Sequence, residues 1–135
     1  GDPEAEVVLP RIKSDLVELL LATAKSELSR VKIDIDERYA TTVMLVSGGY
    51  PEKYQKGKKI KNIDQLEDVL PFHAGTSFDE KGNIITSGGR VIAMTALGSN
   101  VNDALFKSNE AAKIVDFDKK YFRTDIGNDL LNLSF

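Results

Sequence analysis

Cysteine is absent from this chain of 135 residues, and histidine occurs once, at His73. Without cysteine the chain can form no disulfide, no thiolate nucleophile and no cysteine-ligated zinc site. A single histidine also excludes a metal site built from several histidines. Thiol chemistry and these metal sites are therefore removed from the functions open to the chain.

Long apolar runs are also lacking. The longest, residues 16–24, is interrupted by Glu18 and Thr23 and falls far short of the roughly 20 residues that cross a bilayer. No basic segment followed by an apolar run opens the chain, so we expect no export signal, no membrane partner and a cytoplasmic location. The formal net charge of −3 argues against nucleic acid as the main partner.

The composition indicates a folded protein. Hydrophobic residues make up 41% of the chain and charged residues 29%, as is usual for globular domains. The length suits one domain, or one domain with the edge of another. The chain begins with Gly1 rather than methionine, which we interpret as a processed or excised piece of a longer protein. A domain boundary is predicted in the charged segment 31–36, which separates residues 1–35 from 36–135.

Residues 1–35 are predicted to be helical. Asp2 is the expected N-cap of a first helix of about two turns, with Pro3 at its first position and Pro10 at its end. Glu4 also suits this helix start. A second helix is predicted from Ser14, as its cap, to about Ser29. Its broad face of leucine and valine is expected to be buried against a neighbour, and would be an exposed patch if the chain stood alone.

Residues 36–135 predict an α+β domain with a small, mostly antiparallel sheet covered by one long helix. Apolar runs predict strands at 39–47, 69–74, 84–87 and 91–97, and a hairpin turn at 79–83. One or two helical turns are predicted within 63–68. Asn100 is the expected cap of the long helix, 101–115, and a short apolar segment ends the chain.

Glycine marks four segments that are candidates for a binding site: residues 1–4, 47–51, 72–76 and 86–90. None of them matches a Walker loop or a dinucleotide-binding fingerprint. Paired glycines beside strands, such as Gly88 and Gly89, are typical of turns. Arg90 after them has two interpretations: a two-pronged grip on a phosphate at the sheet end, or a pair with a surface carboxylate.

Two other candidates also keep two interpretations each. Lys56 and Lys58 flank Gly57 in a basic loop, which is either a solvated turn or a source of positive charge for an anionic ligand. His73 lies in a short strand between apolar residues. It is either a hydrogen-bonded core residue or a general base.

These segments, taken in order, resemble the carboxy-terminal region of the phosphoribosylamine–glycine ligases, which belong to the ATP-grasp superfamily. The resemblance covers nearly the whole chain. It is carried by residues 1–4, 8–10, 13–16, 48–51, 54, 56–58, 72–76, 86–91, 95–98 and 122–127.

The resemblance implies a parent enzyme of purine biosynthesis that joins 5-phosphoribosylamine to glycine, with ATP cleaved to ADP and phosphate through a glycyl phosphate. Residues 1–35 would be the helical end of the ATP-grasp domain, and 36–135 the C-terminal domain of the ligase. ATP and Mg²⁺ or Mn²⁺ would be held upstream of Gly1, where the family has a Glu-x-Asn segment, so none is expected here. The parent would be monomeric, and this piece alone inactive.

The resemblance also implies roles for single residues. Asp2 would orient the substrate amine or a metal-bound water, and the predicted substrate-binding residues are Arg90, Lys56, Lys58, Gly88, Gly89 and His73. Ala5 and Glu6 stand where Thr-Gln is more usual in the family, so no role is predicted for them. The alternative function is a free-standing α+β module that binds a phosphorylated ligand, or a protein through the second helix.

Overall fold

The computed structural model describes residues 1–130, and the apolar segment predicted at the end of the chain lies largely outside them. Its helices are α1 (Ala5–Val8), α2 (Leu16–Ala24) and α3 (Val101–Ile114). Its strands are β1 (Tyr39–Ser47), β2 (Val69–His73), β3 (Thr76–Phe78), β4 (Ile84–Thr86), β5 (Arg90–Gly98) and β6 (Lys120–Tyr121). No helix among residues 1–130 is long and apolar enough to cross a bilayer.

The main sheet has the strand order β2-β5-β1-β6, and every pairing in it is antiparallel. Strand β5 is central because nearly all of its side chains are apolar, and Val91 to Met94 are completely buried. Helix α3 packs on β5 and β1. The predicted class, an antiparallel α+β domain covered by one long helix, is therefore confirmed.

Helix α3 follows its predicted pattern closely. The Asn100 side chain caps it by accepting a hydrogen bond from the backbone N–H of Asp103 at 2.9 Å. The inner face of α3 includes a polar residue, Ser108, which is fully buried and lies 2.9 Å from the Thr41 hydroxyl of β1. Strand β1 is fully buried on the side of Val43 and Leu45 and only partly buried on the other.

A second, two-stranded sheet pairs β3 with β4. The predicted turn between them is confirmed: Asp79 accepts hydrogen bonds from the backbone N–H groups of Lys81 and Asn83 at 2.9 and 2.8 Å. The single helical turn at Ile63–Gln65 is also confirmed. Strands β3 and β6 were not predicted, because β3 has one apolar residue among three and β6 has only two residues.

The predicted start of the first helix is wrong. Helix α1 begins at Ala5, and neither Asp2 nor Glu4 caps it with its side chain. The Asp2 carboxylate is instead bound to Arg90. Pro10 does not end the helical segment, which continues to Arg11 as a tighter 3₁₀ turn, since proline is tolerated in a first turn.

The second helix differs from its prediction at both ends. Asp15, not Ser14, is the cap, and it accepts from the backbone N–H of Glu18 at 3.0 Å. The Ser14 hydroxyl instead accepts from the backbone N–H of Asp34 at 2.7 Å. The helix ends at Ala24, five residues early, because a residue with positive φ, Ser26, follows the C-cap.

The apolar face of α2 has no cover within the described chain. Val17, Leu20 and Leu21 are 64%, 60% and 55% exposed, whereas only Leu19 and Ala22 are buried. An isolated antiparallel bridge between Ile12 and Ile35 joins the two ends of the segment that contains α2. The expectation that such a face is an exposed patch when the chain stands alone is met.

Candidate functional site

The glycine-marked segments meet at one end of the main sheet. Because the pairing is antiparallel, β1 ends at Ser47 and β2 ends at His73 on the same side on which β5 begins at Arg90. The Ser47 backbone N–H donates to the Gly89 carbonyl at 2.8 Å, and its hydroxyl donates to the Gly88 carbonyl at 2.9 Å. Segments distant in sequence therefore form one surface at this edge.

Glycine is required at this edge for close approach of backbone segments. A Cβ on Gly75 would lie 2.4 Å from the Arg90 carbonyl oxygen and 2.7 Å from the Gly88 Cα. A Cβ on Gly89 would lie 2.1 Å from the ring of Tyr50. Gly88 and Gly89 thus allow close packing, with the Tyr50 ring against the backbone that leads into Arg90. Their substrate-binding role stays a prediction.

Arg90 is joined to Asp2, so the structure brings together two residues that were predicted separately. Their side chains meet at 2.7 Å (Arg90 Nη2 to Asp2 Oδ2), and both are a little over two-fifths exposed. Of the two interpretations of Arg90, this contact matches the pair with a surface carboxylate. The same guanidinium also lines a cleft, so its phosphate-binding role stays a prediction.

Glu6 is the residue at this site that the sequence did not single out. Its Oε2 atom is buried and has no hydrogen-bond partner among the described residues. Burial raises the pKa of its carboxyl above the usual value, and the nearby charge of Asp2 raises it further, while Arg90 acts in the opposite direction. The site therefore contains two carboxylates beside one guanidinium. No pattern in the sequence indicates this, because Glu6 reads as an ordinary helical residue.

A cleft of about 280 Å³ opens beside Arg90. Its lining is mainly apolar and aromatic, with two arginines: Val43, Met44, Val46, Tyr50, Arg90, Tyr121, Phe122, Arg123 and Ile126. An apolar cavity with few charged groups is typical of a small-molecule site. The arrangement suits a ligand with an anionic end and a compact body.

The two predicted lysines lie elsewhere. Lys58 forms an ion pair with Asp118 at 2.9 Å, and its loop runs along β4 through hydrogen bonds with Thr86. Lys56 is exposed. Neither lysine is among the described residues that line the cleft. Their role as helpers of Arg90 stays a prediction.

His73 is exposed, so its interpretation as a core histidine is wrong. Its Nδ1 atom lies 2.9 Å from the Thr76 hydroxyl across the turn after β2. The reason is that β2 is an edge strand, and its last residue turns its side chain to solvent. A part in substrate binding remains a prediction.

Within residues 1–130 no group of three or more His, Cys, Asp or Glu side chains is placed to hold a metal ion. Asp2 and Glu6 lie beside a guanidinium rather than beside a third carboxylate.

Comparisons with known proteins agree with one another. The profile of the family described as "Phosphoribosylglycinamide synthetase, C domain" matches residues 40–129. The chloroplastic phosphoribosylamine–glycine ligase of Arabidopsis thaliana is 42% identical over 94% of this chain and 25% of its own length. The bifunctional purine biosynthetic protein PUR2,5 of Pichia angusta is 45% identical over 95% of this chain and 16% of its own length.

A solved structure supports the same relationship. The phosphoribosylamine–glycine ligase of Thermotoga maritima has a TM-score of 0.73 to this chain at 31% identity, and the match covers 93% of this chain and 30% of that one. This chain thus spans between 16% and 30% of the length of these three relatives. The profile match and these relatives show that the chain belongs to the phosphoribosylglycinamide synthetase C-domain family.

Proposed function

We propose that this chain is the C-terminal part of a phosphoribosylamine–glycine ligase and supplies the sugar-phosphate side of its active site. Support comes from the family relationship and from the relatives that carry this name over nearly the whole length of the chain. The parent would catalyse C–N bond formation in purine biosynthesis. Its substrates would be 5-phosphoribosylamine, glycine and ATP.

The reaction proceeds in two steps. An oxygen of the glycine carboxylate attacks the γ-phosphorus of ATP, and the bond to the β-phosphate oxygen breaks to release ADP. The amine of phosphoribosylamine then attacks the acyl carbon of glycyl phosphate, which expels inorganic phosphate as the nitrogen loses a proton. A bound metal ion would neutralise phosphate charge in the first step, and ATP and Mg²⁺ or Mn²⁺ are assigned to the remainder of the parent.

The observation that carries the proposal for this chain is the Asp2–Arg90 pair beside the cleft. A guanidinium presents two parallel N–H donors and therefore matches a phosphate as well as it matches a carboxylate. Both partners are substantially exposed, so the pair contributes no more than about 1 kcal/mol and is readily exchanged. The substrate phosphate replaces Asp2 on Arg90, and the released carboxylate orients the amine.

Residues 1–35 are assigned to the end of the ATP-grasp domain, and residues 36–135 to the C-terminal domain. The exposed face of α2 supports this division, because Val17, Leu20 and Leu21 are the kind of surface that packs on another domain. The same face is therefore assigned to the body of the parent and not to a separate partner. The parent is proposed to be a cytoplasmic monomer without a nucleic-acid partner.

Arg90→Ala in the full-length parent tests this function. We expect the KM for phosphoribosylamine to rise about ten- to a hundredfold, the loss that follows removal of a hydrogen bond to a charged group. The KM for ATP should stay within about twofold. Equal changes for both substrates, or none, would remove Arg90 from the site.

The 135-residue chain by itself is expected to show no ligase turnover, because the groups that bind ATP are assigned to the rest of the parent. The measurement is formation of glycinamide ribonucleotide from phosphoribosylamine, glycine and ATP. Product formation by the chain alone would contradict the division of the active site.

A further inference from the structure

A second arginine lies in the cleft and has no part in the function proposed so far. Arg123 follows β6, and its side chain lines the cleft together with that of Arg90. The register of the sheet explains the shared position, because Val46 of β1 pairs with Arg90 on one side and with Tyr121 on the other. Neighbouring strands are about 4.8 Å apart. Strand β5, which begins with Arg90, and β6, which precedes Arg123, therefore lie two strand spacings apart, on either side of β1.

The segment that carries Arg123, residues 120–127, is fixed to α3 at both ends. At one end the Lys120 ammonium donates to the carbonyl oxygens of Ala112 and Lys113 at 2.8 and 3.2 Å. At the other end Gly127 packs so closely on Leu105 that a Cβ there would lie 2.7 Å from its Cδ2. Arg123 is therefore presented from an anchored segment rather than from a loose tail.

The present partner of Arg123 is exchangeable. Its guanidinium binds Asp125 through two hydrogen bonds, Nε to Oδ1 at 3.0 Å and Nη2 to Oδ2 at 2.7 Å. The two side chains are 62% and 60% exposed, and an exposed pair of this kind adds little stability. Arg90 likewise meets a carboxylate at the cleft, although through one contact of 2.7 Å with Asp2. A phosphate can replace either carboxylate on its guanidinium.

The walls between the two arginines suit the uncharged part of a ligand. Tyr50, Tyr121 and Phe122 contribute aromatic rings, and Met44 and Val46, on the partly buried face of β1, are the apolar floor. A cavity of this lining accepts a compact organic body while a few charged groups fix its orientation. A phosphate alone would leave this apolar lining unused, whereas a sugar phosphate would contact both parts.

We propose that Arg123 is a second phosphate-binding residue for the sugar-phosphate substrate, acting with Arg90 across the aromatic cleft. The proposal rests on the function proposed above and extends it to a residue that has no assigned role. Two guanidinium groups neutralise a phosphate dianion more fully than one, and they bind it from the start of β5 and from the segment after β6. The ribose then lies against the aromatic rings with its amine directed towards Asp2.

The test uses the full-length parent and its Arg123→Gln variant. Calorimetry with ribose 5-phosphate is expected to show binding weakened about ten- to a hundredfold, as for the loss of a charge-assisted hydrogen bond. The KM for phosphoribosylamine should rise by a similar factor, with that for ATP within about twofold. Arg123→Lys keeps the charge without the two-pronged donor and should lose part of the affinity. If Arg123→Gln does not fold, the affinity of Arg123→Lys for ribose 5-phosphate is the test.

Arg38→Gln is a matched control. Arg38 is likewise joined to an aspartate two residues away, Asp36, with an Nη2–Oδ2 distance of 2.7 Å and with 55% of its side chain exposed. It stands next to Tyr39, at the opposite end of β1 from the cleft. Its loss should leave both constants within about twofold. Equal behaviour of the Arg123 and Arg38 variants would overturn the proposal.

Failure of the proposed function gives a different result. If the unmutated parent does not join phosphoribosylamine to glycine, the ligase function is wrong. In that case the affinities of the unmutated parent and of Arg123→Gln for ribose 5-phosphate still show whether Arg123 binds a sugar phosphate. If turnover is present and Arg90→Ala behaves as expected while Arg123→Gln has no effect, the function stands and the second phosphate-binding residue is wrong.

Discussion

Glu6 lies where its ionised form is poorly accommodated. Its Oε2 atom is buried without a hydrogen-bond partner among the described residues, and the Asp2 carboxylate is close enough to raise its pKa further. Arg90 lowers the pKa, but its guanidinium is already joined to Asp2 at 2.7 Å. The folded protein therefore binds a proton at Glu6 more readily than the unfolded chain does.

The sign of the pH dependence follows from that direction. A carboxyl whose pKa is raised on folding favours the folded state below its unfolded value, and this contribution is lost as the pH rises through the raised pKa. Glu6→Gln is uncharged at every pH, so we expect its thermal midpoint to exceed that of the wild type at pH 7.5. The difference should shrink towards zero near pH 4.

Thermal unfolding followed by circular dichroism between pH 3.5 and 8 measures this effect. Glu80→Gln, which removes an exposed carboxylate from the turn between β3 and β4, is the matched control. A Glu6→Gln variant that is less stable than the wild type at neutral pH would show that the ionised carboxylate has a stabilising partner.

The main residues of the site can be predicted from the sequence, but the contacts between them cannot. Arg90 and Asp2 are both predictable as candidates, since one follows a glycine pair and the other opens a helix. Their ion pair joins residues 88 positions apart, and nothing local indicates it. The default interpretation of Asp2 as a cap fails for the same reason, because a tertiary partner outcompetes the free N–H groups of a helix of four residues.

At the scale of elements, Lys120 joins β6 to the end of α3. Its ammonium donates to the carbonyl oxygens of Ala112, Lys113 and Val115, the terminal groups that a helix leaves without partners. The same Nζ lies 5.4 Å from the centre of the Phe122 ring. Partial burial lowers the pKa of Lys120, with Asp116 acting in the opposite direction. One side chain thus caps the longest helix and fixes the segment that lines the cleft.

Lys120→Met is expected to lower the free energy of unfolding by about 1–3 kcal/mol. The variant leaves terminal carbonyls without a donor and removes a positive charge from the negative end of the helix. Urea unfolding of the 135-residue chain measures the change.

Lys113→Met is the control for the hydrogen bonds of Lys120, because Lys113 is also a lysine in the last turn of α3 but its ammonium pairs, within the described residues, with the half-exposed Glu110. Its cost should stay within about 0.5 kcal/mol. Equal costs for the two variants would show that the bonds of Lys120 to the helix end do not stabilise the fold.

Sequence patterns predict the elements whose own residues show which side is buried. Strands β1 and β5 each contain a short run of apolar residues, and α3 has both a cap and a continuous inner face. Strands β3 and β6 exist only because a partner strand passes beside them. The end of α2 is decided by the positive φ of Ser26, which no periodicity indicates.

At the scale of the whole molecule, α2 presents an apolar face that no other described element covers. Leu19 is buried, whereas Leu20 next to it is 60% exposed. A leucine that passes from water to a packed interface contributes about 1.5–3 kcal/mol. If residues 1–35 belong to the ATP-grasp body, that contribution exists in the parent and is absent from the isolated chain.

Leu20→Gln tests whether this face is covered in the parent and exposed in the isolated chain. Glutamine and leucine have similar helix propensity, so the substitution changes the polarity of the face without weakening the helix. In the isolated chain the thermal midpoint should hardly change, since the side chain is already in solvent. In the parent the same substitution should lower the midpoint by several degrees, since it puts an amide into an apolar contact. Leu19→Gln, at a position buried within this chain, should destabilise both proteins. A Leu20→Gln variant without effect in the parent would leave α2 solvent-exposed there, and the assignment of residues 1–35 to the body of the enzyme would be wrong.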